Sequence, residues 1–114
     1  MTKRISSPIT LPNGTVLKNR IAKSAMSENM ASDGHKANLQ FAQLYKRWAR
    51  GGSGLLITGN IMVDSTALGE PNNIVFEEGS STEYIKEWTK AGTENETHLW
   101  AQLNHPGKQS PKFL

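Results

Sequence analysis

The chain has 114 residues, 36% of them hydrophobic and 20% charged, with a mean hydropathy of −0.53. That allows one small domain of soluble-type composition, and no apolar run approaches the roughly 18 residues of a membrane span. Thirteen Lys and Arg against ten Asp and Glu leave a formal charge of +3, but the cations are scattered from Lys3 to Lys112 and form no dense basic stripe for nucleic acid, while the lack of cysteine excludes disulfides, thiolate metal sites and a Cys nucleophile.

In chain order, the N-terminus MTKRISSPIT has no apolar core and so is not expected to be a secretory signal, which together with the missing cysteine points to the cytoplasm. Ile9-Thr10-Leu11 and Thr15-Val16-Leu17 flank Pro12-Asn13-Gly14 and predict a β-hairpin over 9–17, with Asn-Gly supplying the positive φ angles of a tight turn. A short strand is expected over 20–26, then a loop over 27–36 turning at Asp33-Gly34. The clearest helix spans 38–50. Leu39, Phe41, Ala42, Leu44, Tyr45, Trp48 and Ala49 recur at helical spacing, Asn38 is the expected cap, and Gly51-Gly52 is the stop. Lys46, Arg47 and Arg50 fall in its last turn, where cations suit the helix dipole, and read as a solvated helix end.

The continuous apolar run over 54–60 suits a strand covered on both faces, as in a parallel sheet. Residues 61–79 read as one long loop, a length that is often functional. Ser80-x-x-Glu83 resembles a capping box opening a second helix over 82–92, which carries Tyr84, Ile85, Trp88 and Ala91. A third strand is expected over 98–103, followed by a loop to Leu114. Alternating β and α implies parallel strands joined by right-handed crossovers. Neither GxGxxG after the first strand nor GxxxxGK[ST] occurs, so the common phosphate-loop signatures of a doubly wound nucleotide fold are missing.

The segments ITLPNGTVLKNRIAKSAMS (9–27), YKRWARGGSGLLITGN (45–60), the Gly69–Asn72 loop and WAQLNHPGK (100–108), in this order and at these distances, resemble the N-terminal part of the old yellow enzyme family, the NADH:flavin oxidoreductases and ene-reductases. The resemblance spans nearly the whole chain but only about the first third of the family's barrel. It implies an α/β fold that is the N-terminal part of a (β/α)8 TIM barrel preceded by a β-hairpin, with residues 1–114 a fragment of one FMN-binding domain. It further implies hydride transfer from NADH or NADPH through FMN to an activated alkene or similar small-molecule acceptor. By position, Ser24, Ala25, Met26 and Ser27 would contact the flavin after the first strand, Asn60 would lie by the ring after the second, and Gln102 would read the pyrimidine edge from the third. Those segments lie at the carboxyl ends of predicted parallel strands, and an amide such as Gln102 both donates and accepts.

The sequence departs from the family pattern at Ser27, where Cys or Thr is common, at Asn29, where some members carry an aromatic, and at Lys108, which replaces the usual Arg. The family's catalytic residues are expected beyond residue 114, so a fragment ending there is not expected to turn over alone. No metal site is expected, since His35 and His98 lack ligand spacing, and His105 reads as a loop histidine. Glu77-Glu78 and Glu94/Glu96 read as solvated acids. Met26 is read as core from composition alone and as a flavin contact from the resemblance. Two other functions compete: a small non-catalytic binding or interaction domain, and another barrel enzyme holding a phosphate-bearing ligand. Neither nucleic acid nor membrane is expected as a partner, and a homo-oligomer is left open.

Overall fold

A two-strand hairpin opens the computed structural model, which describes residues 4–80 and 82–114; the first residues of the MTKRISSPIT stretch lie outside that range. Strands β1 (Ile9–Thr10) and β2 (Val16–Leu17) pair antiparallel, Ile9 opposite Leu17. The turn is not the two-residue type expected from Asn-Gly. Gly14 N–H donates to the Leu11 carbonyl and Leu11 N–H to that of Thr15, and Gly14 has φ +88° while Asn13 does not cross to positive φ. This is a three-residue connection with glycine at the left-handed position, and Asn13 contributes its side-chain oxygen to Thr15 N–H.

The main sheet is parallel and has four strands. β4 (Leu55–Met62) runs through its middle, with β6 (His98–Asn104) along one side and β3 (Ala22–Lys23) and β5 (Ile74–Val75) on the other. Ala22 pairs with Leu55 at the start of β4, and Ile74 with Ile61 at its end. The strand expected over 20–26 is therefore paired only at two residues, because the chain leaves the sheet after Lys23. The 61–79 loop in turn contains the end of β4 and the whole of β5.

Helix α1 (Leu39–Arg50) is capped as expected, the Asn38 side-chain Oδ1 accepting from Gln40 N–H, and Gly51 ends it. Helix α2 (Ile85–Gly92) starts later than 82, and the expected capping box does not form its N-terminus. The Ser80 hydroxyl instead accepts from Glu77 N–H and closes a turn ahead of the helix. Phe41, Tyr45 and Ala49 of α1, Trp88 of α2, Leu56 and Ile61 of β4 and Ile74 of β5 build the core. Trp88 sits at its centre, its ring 4.9 Å from Phe41 and 5.4 Å from Tyr45. Arg50 and Lys46 at the end of α1 reach Glu94 at 2.9 and 3.9 Å, so the two helix–strand connections meet there and Glu94 is paired rather than simply solvated. No helix of the described residues is long and apolar enough to cross a membrane.

Candidate functional site at the strand tips

Parallel pairing alternates side chains between two faces, but one irregularity in β4 changes where they point. Ile57 pairs with Trp100, yet the next partners are Asn60 and Gln102, so β4 carries one extra residue between them. This is a β-bulge at Thr58-Gly59. Leu56, Thr58 and Ile61 face the helices, while Ile57 and Asn60 share the opposite face with Trp100 and Gln102. Without the extra residue, Asn60 would turn into the helix layer.

Thr58 pins the bulge from inside. Its hydroxyl accepts from Gln102 N–H at 3.0 Å, replacing a ladder carbonyl, and donates to Gly59 O. Gly59 N–H, released from the ladder, donates to the Glu28 carboxylate at 3.0 Å. Any side chain at Gly59 would overlap the Met26 carbonyl and the Glu28 carboxylate, so the 24–28 segment lies directly across the tip of β4. Only glycine permits that approach.

The structure brings the expected residues toward one end of the sheet with different exposures. Asn60 and Gln102 are register neighbours, and the Asn104 amide donates to Asn60 Oδ1 at 2.9 Å. Ala25 and Asn60 are half-buried, while Ser24, Met26 and Ser27 are exposed. Gln102, expected in a buried strand, is also exposed. The reason is that β6 borders only β4 and its face opposite the helices carries no covering layer among the described residues. Met26, at 51% exposure, is not core. Ser27 Oγ donates to Glu70, whose own N–H, with that of Gly69, is held by Asn73 Oδ1 at 2.8 and 3.1 Å. His105 is a loop residue 3.9 Å from Asp64, and its Nδ1 accepts from Gly107 N–H. Among the described residues no cluster of His, Asp or Glu could hold a metal.

Electrostatics concentrate behind the tip of β4. Tyr45 OH donates to the Glu28 carboxylate, and burial with that bond raises the phenol well above its ordinary value. Lys23 Nζ lies 4.7 Å from the Trp48 ring centroid and 5.3 Å from that of Tyr45. Burial lowers the Lys23 pKa, and Glu28 partly opposes that shift.

The amides of Asn60 and Gln102, side by side on one face, offer donors and acceptors for a heterocycle edge, and the 24–28 backbone lies across Gly59 at the same end. The donor set thus fits a flavin. The model of the NADH:flavin oxidoreductase / NADH oxidase family matches residues 4–113. The chain belongs to that family. FMN and a nicotinamide hydride donor are the cofactors of this flavin oxidoreductase family. The chain is 39% identical over 110 residues to the NADH-dependent flavin oxidoreductase iliE of Hypocrea jecorina (strain QM6a), covering 93% of this chain and 27% of that relative. It is 35% identical to iccE of Talaromyces variabilis, covering 94% and 27%. It therefore spans about a quarter of the length of these two relatives. Among solved structures, the old yellow enzyme from Trypanosoma cruzi superposes with TM-score 0.81 at 22% identity, over 93% of this chain and 28% of that one. Morphinone reductase in complex with tetrahydroNAD gives 0.79 at 21%, over 96% and 29%.

Three contributors to this candidate site escape the sequence: Glu28, Asn104 and Asn73. Each acts across 31, 44 or three to four residues through a single side-chain oxygen or amide. No local pattern marks such long-range bonds. The Asn73 bond is local but lies in a loop without periodicity.

Proposed function

We propose that these residues form the opening strands of a (β/α)8 barrel in a cytoplasmic, FMN-dependent oxidoreductase. It passes hydride from NADH or NADPH to an activated alkene or similar small acceptor. FMN, when bound, supplies the two-electron hydride chemistry. The chain's own contribution is binding and electronic tuning. With FMN bound, Gln102 and Asn60 would hold the polar rim of the ring, Asn104 holds the Asn60 amide by donating to its Oδ1, and Ser24–Ser27 would line the adjacent side. Amide donors at a pyrimidine edge favour the negative charge that reduction places there. The observation that carries this reading is the register pairing of Asn60 with Gln102 on the face away from the helices, beside the 24–28 segment.

The test is to titrate FMN with the full chain and follow its fluorescence. Saturable quenching, with a shifted visible flavin band, is the expected result. A chain that stays colourless and leaves FMN emission unchanged at every concentration favours a non-catalytic interaction domain. Equal quenching by riboflavin and FMN is expected here, because the amide contacts reach the ring; a strict need for the phosphate would favour the phosphate-ligand alternative.

A further inference from the structure

Glu28 joins three elements at the site. It stands at the end of the 24–28 segment, and its Oε2 accepts both from Gly59 N–H in the β4 bulge, at 3.0 Å, and from the phenol of Tyr45 on α1. Tyr45 is fully buried, so its hydroxyl is held rigidly by the core. Gly59 N–H is available to Glu28 because the bulge removes it from the ladder. Lys23, whose Nζ is buried without a hydrogen-bond partner among the described residues, lies over the Trp48 and Tyr45 rings and adds a favourable field to the carboxylate. The carboxylate ties the 24–28 segment to the buried phenol of α1 and to the bulge amide of β4. Removing it leaves a buried phenol and a bulge amide unpaired and frees the segment that lies across Gly59.

We propose that Glu28 is a positioning residue: it clamps Ser24–Ser27 against the tip of β4 so that this segment is preset for the flavin. The proposal rests on the flavin reading above. Preset contacts bind more tightly because the ordering cost is met on folding rather than on binding. Both bonds end on the same oxygen, so an amide oxygen placed there can accept both. Glu28→Gln therefore keeps the clamp, whereas Glu28→Ala removes it.

Two measurements on the full chain separate the clamp from the flavin reading. In the first, amide hydrogen exchange is followed at residues 24–28 and Gly59 without ligand. Glu28→Ala is expected to speed exchange there by about tenfold or more while leaving β4 core amides unchanged, with Glu28→Gln close to the parent. Unchanged exchange in Glu28→Ala overturns the clamp. Should Glu28→Ala fail to fold, Tyr45→Phe, which removes one of the two bonds and keeps the ring, is read instead and must show the same local loosening. In the second, FMN quenching is compared. Glu28→Ala is expected to weaken binding by about fivefold or more and Glu28→Gln by less than about twofold. If the parent binds FMN and all three chains bind equally, the positioning role is overturned while the flavin reading stands. If the parent shows no quenching, the flavin reading falls and takes the positioning role with it, even where exchange supports the clamp.

Discussion

Leu56, Thr58 and Ile61 on one face of β4 lie beneath two helices, whereas Trp100 and Gln102, paired with Ile57 and Asn60 on the other face, are exposed. The same strands thus carry two unlike surfaces. The helix face holds aromatic rings at contact distance and the satisfied hydroxyls of Thr58 and Tyr45. The opposite face holds amides beside an aromatic ring, with Trp100 44% exposed. In the proposed barrel this face is the one that turns toward the barrel interior. The contrast teaches that stability and ligand chemistry are divided between the faces, with the Thr58-Gly59 bulge as the hinge that assigns residues to each.

The largest expected effect is on the helix face. Trp88→Ala removes the ring that touches Phe41, Tyr45 and Phe76, and should cost about 3–5 kcal/mol in urea denaturation. Loss of less than about 1 kcal/mol would mean that the aromatic cluster is not the core. Next is the hinge. Thr58→Val keeps the shape but strips the hydroxyl that serves Gln102 N–H and Gly59 O, and should cost about 1–3 kcal/mol. If the bulge assigns faces as described, the same variant also weakens FMN quenching, because Asn60 loses its register with Gln102.

Much of the helix face was legible in the sequence. The spacing Phe41, Tyr45, Ala49 marks α1, Asn38 caps it, and the apolar run at 54–60 reads as a buried strand, because each depends on local periodicity or a single short-range bond. Elements fixed by long-range pairing were less legible. A two-residue strand such as Ile74–Val75 exists only because β4 offers it a partner, so nothing within the 61–79 stretch announces it. The bulge is invisible for the same reason, since Gly59 in an apolar run does not say whether β6 will skip a residue there. Leu39 shows the limit of periodicity: it falls on the apolar face by spacing, yet it precedes the packed turns and is 53% exposed. For the site, Ser24–Ser27, Asn60 and Gln102 came from the family resemblance, and the exposure of Gln102 could not be read from a strand whose covering layer depends on the rest of the fold.

Titration gives a smaller and pH-limited effect. Folding holds the Tyr45 phenol protonated above its ordinary value of 10.0, chiefly by burial and then by its bond to Glu28. Above about pH 10 the folded state therefore binds more protons than the unfolded one, and stability falls as pH rises, by at most about 1.4 kcal/mol per pH unit. Lys23 acts with the opposite sign. Burial lowers its pKa from 10.5, so below that value the unfolded state binds more protons and stability rises with pH. The two are separated by comparing the chain with Tyr45→Phe. The difference in unfolding free energy should be flat below pH 9 or so and shrink above about pH 10. A flat difference throughout would show that the phenol is not held by the core, and the clamp on Glu28 would lose its rigid end.

The smallest expected effect on stability is the sharpest test of the two faces. Gln102→Ala truncates an exposed side chain on the face away from the helices and leaves the backbone N–H that bonds Thr58 untouched. Surface truncations of that kind change stability by no more than about 0.5 kcal/mol. The same truncation removes a donor and an acceptor from the ring edge. At about 1 kcal/mol for each net hydrogen bond, FMN affinity should fall by roughly tenfold or more. Trp88→Ala should show the reverse pattern, with stability lost first and binding lost only as the chain unfolds. A Gln102→Ala chain that loses more than about 1 kcal/mol of stability while binding FMN as before would place the amide in the structural core instead, and the division of labour between the two faces would fail at the residue where it is most exposed to measurement.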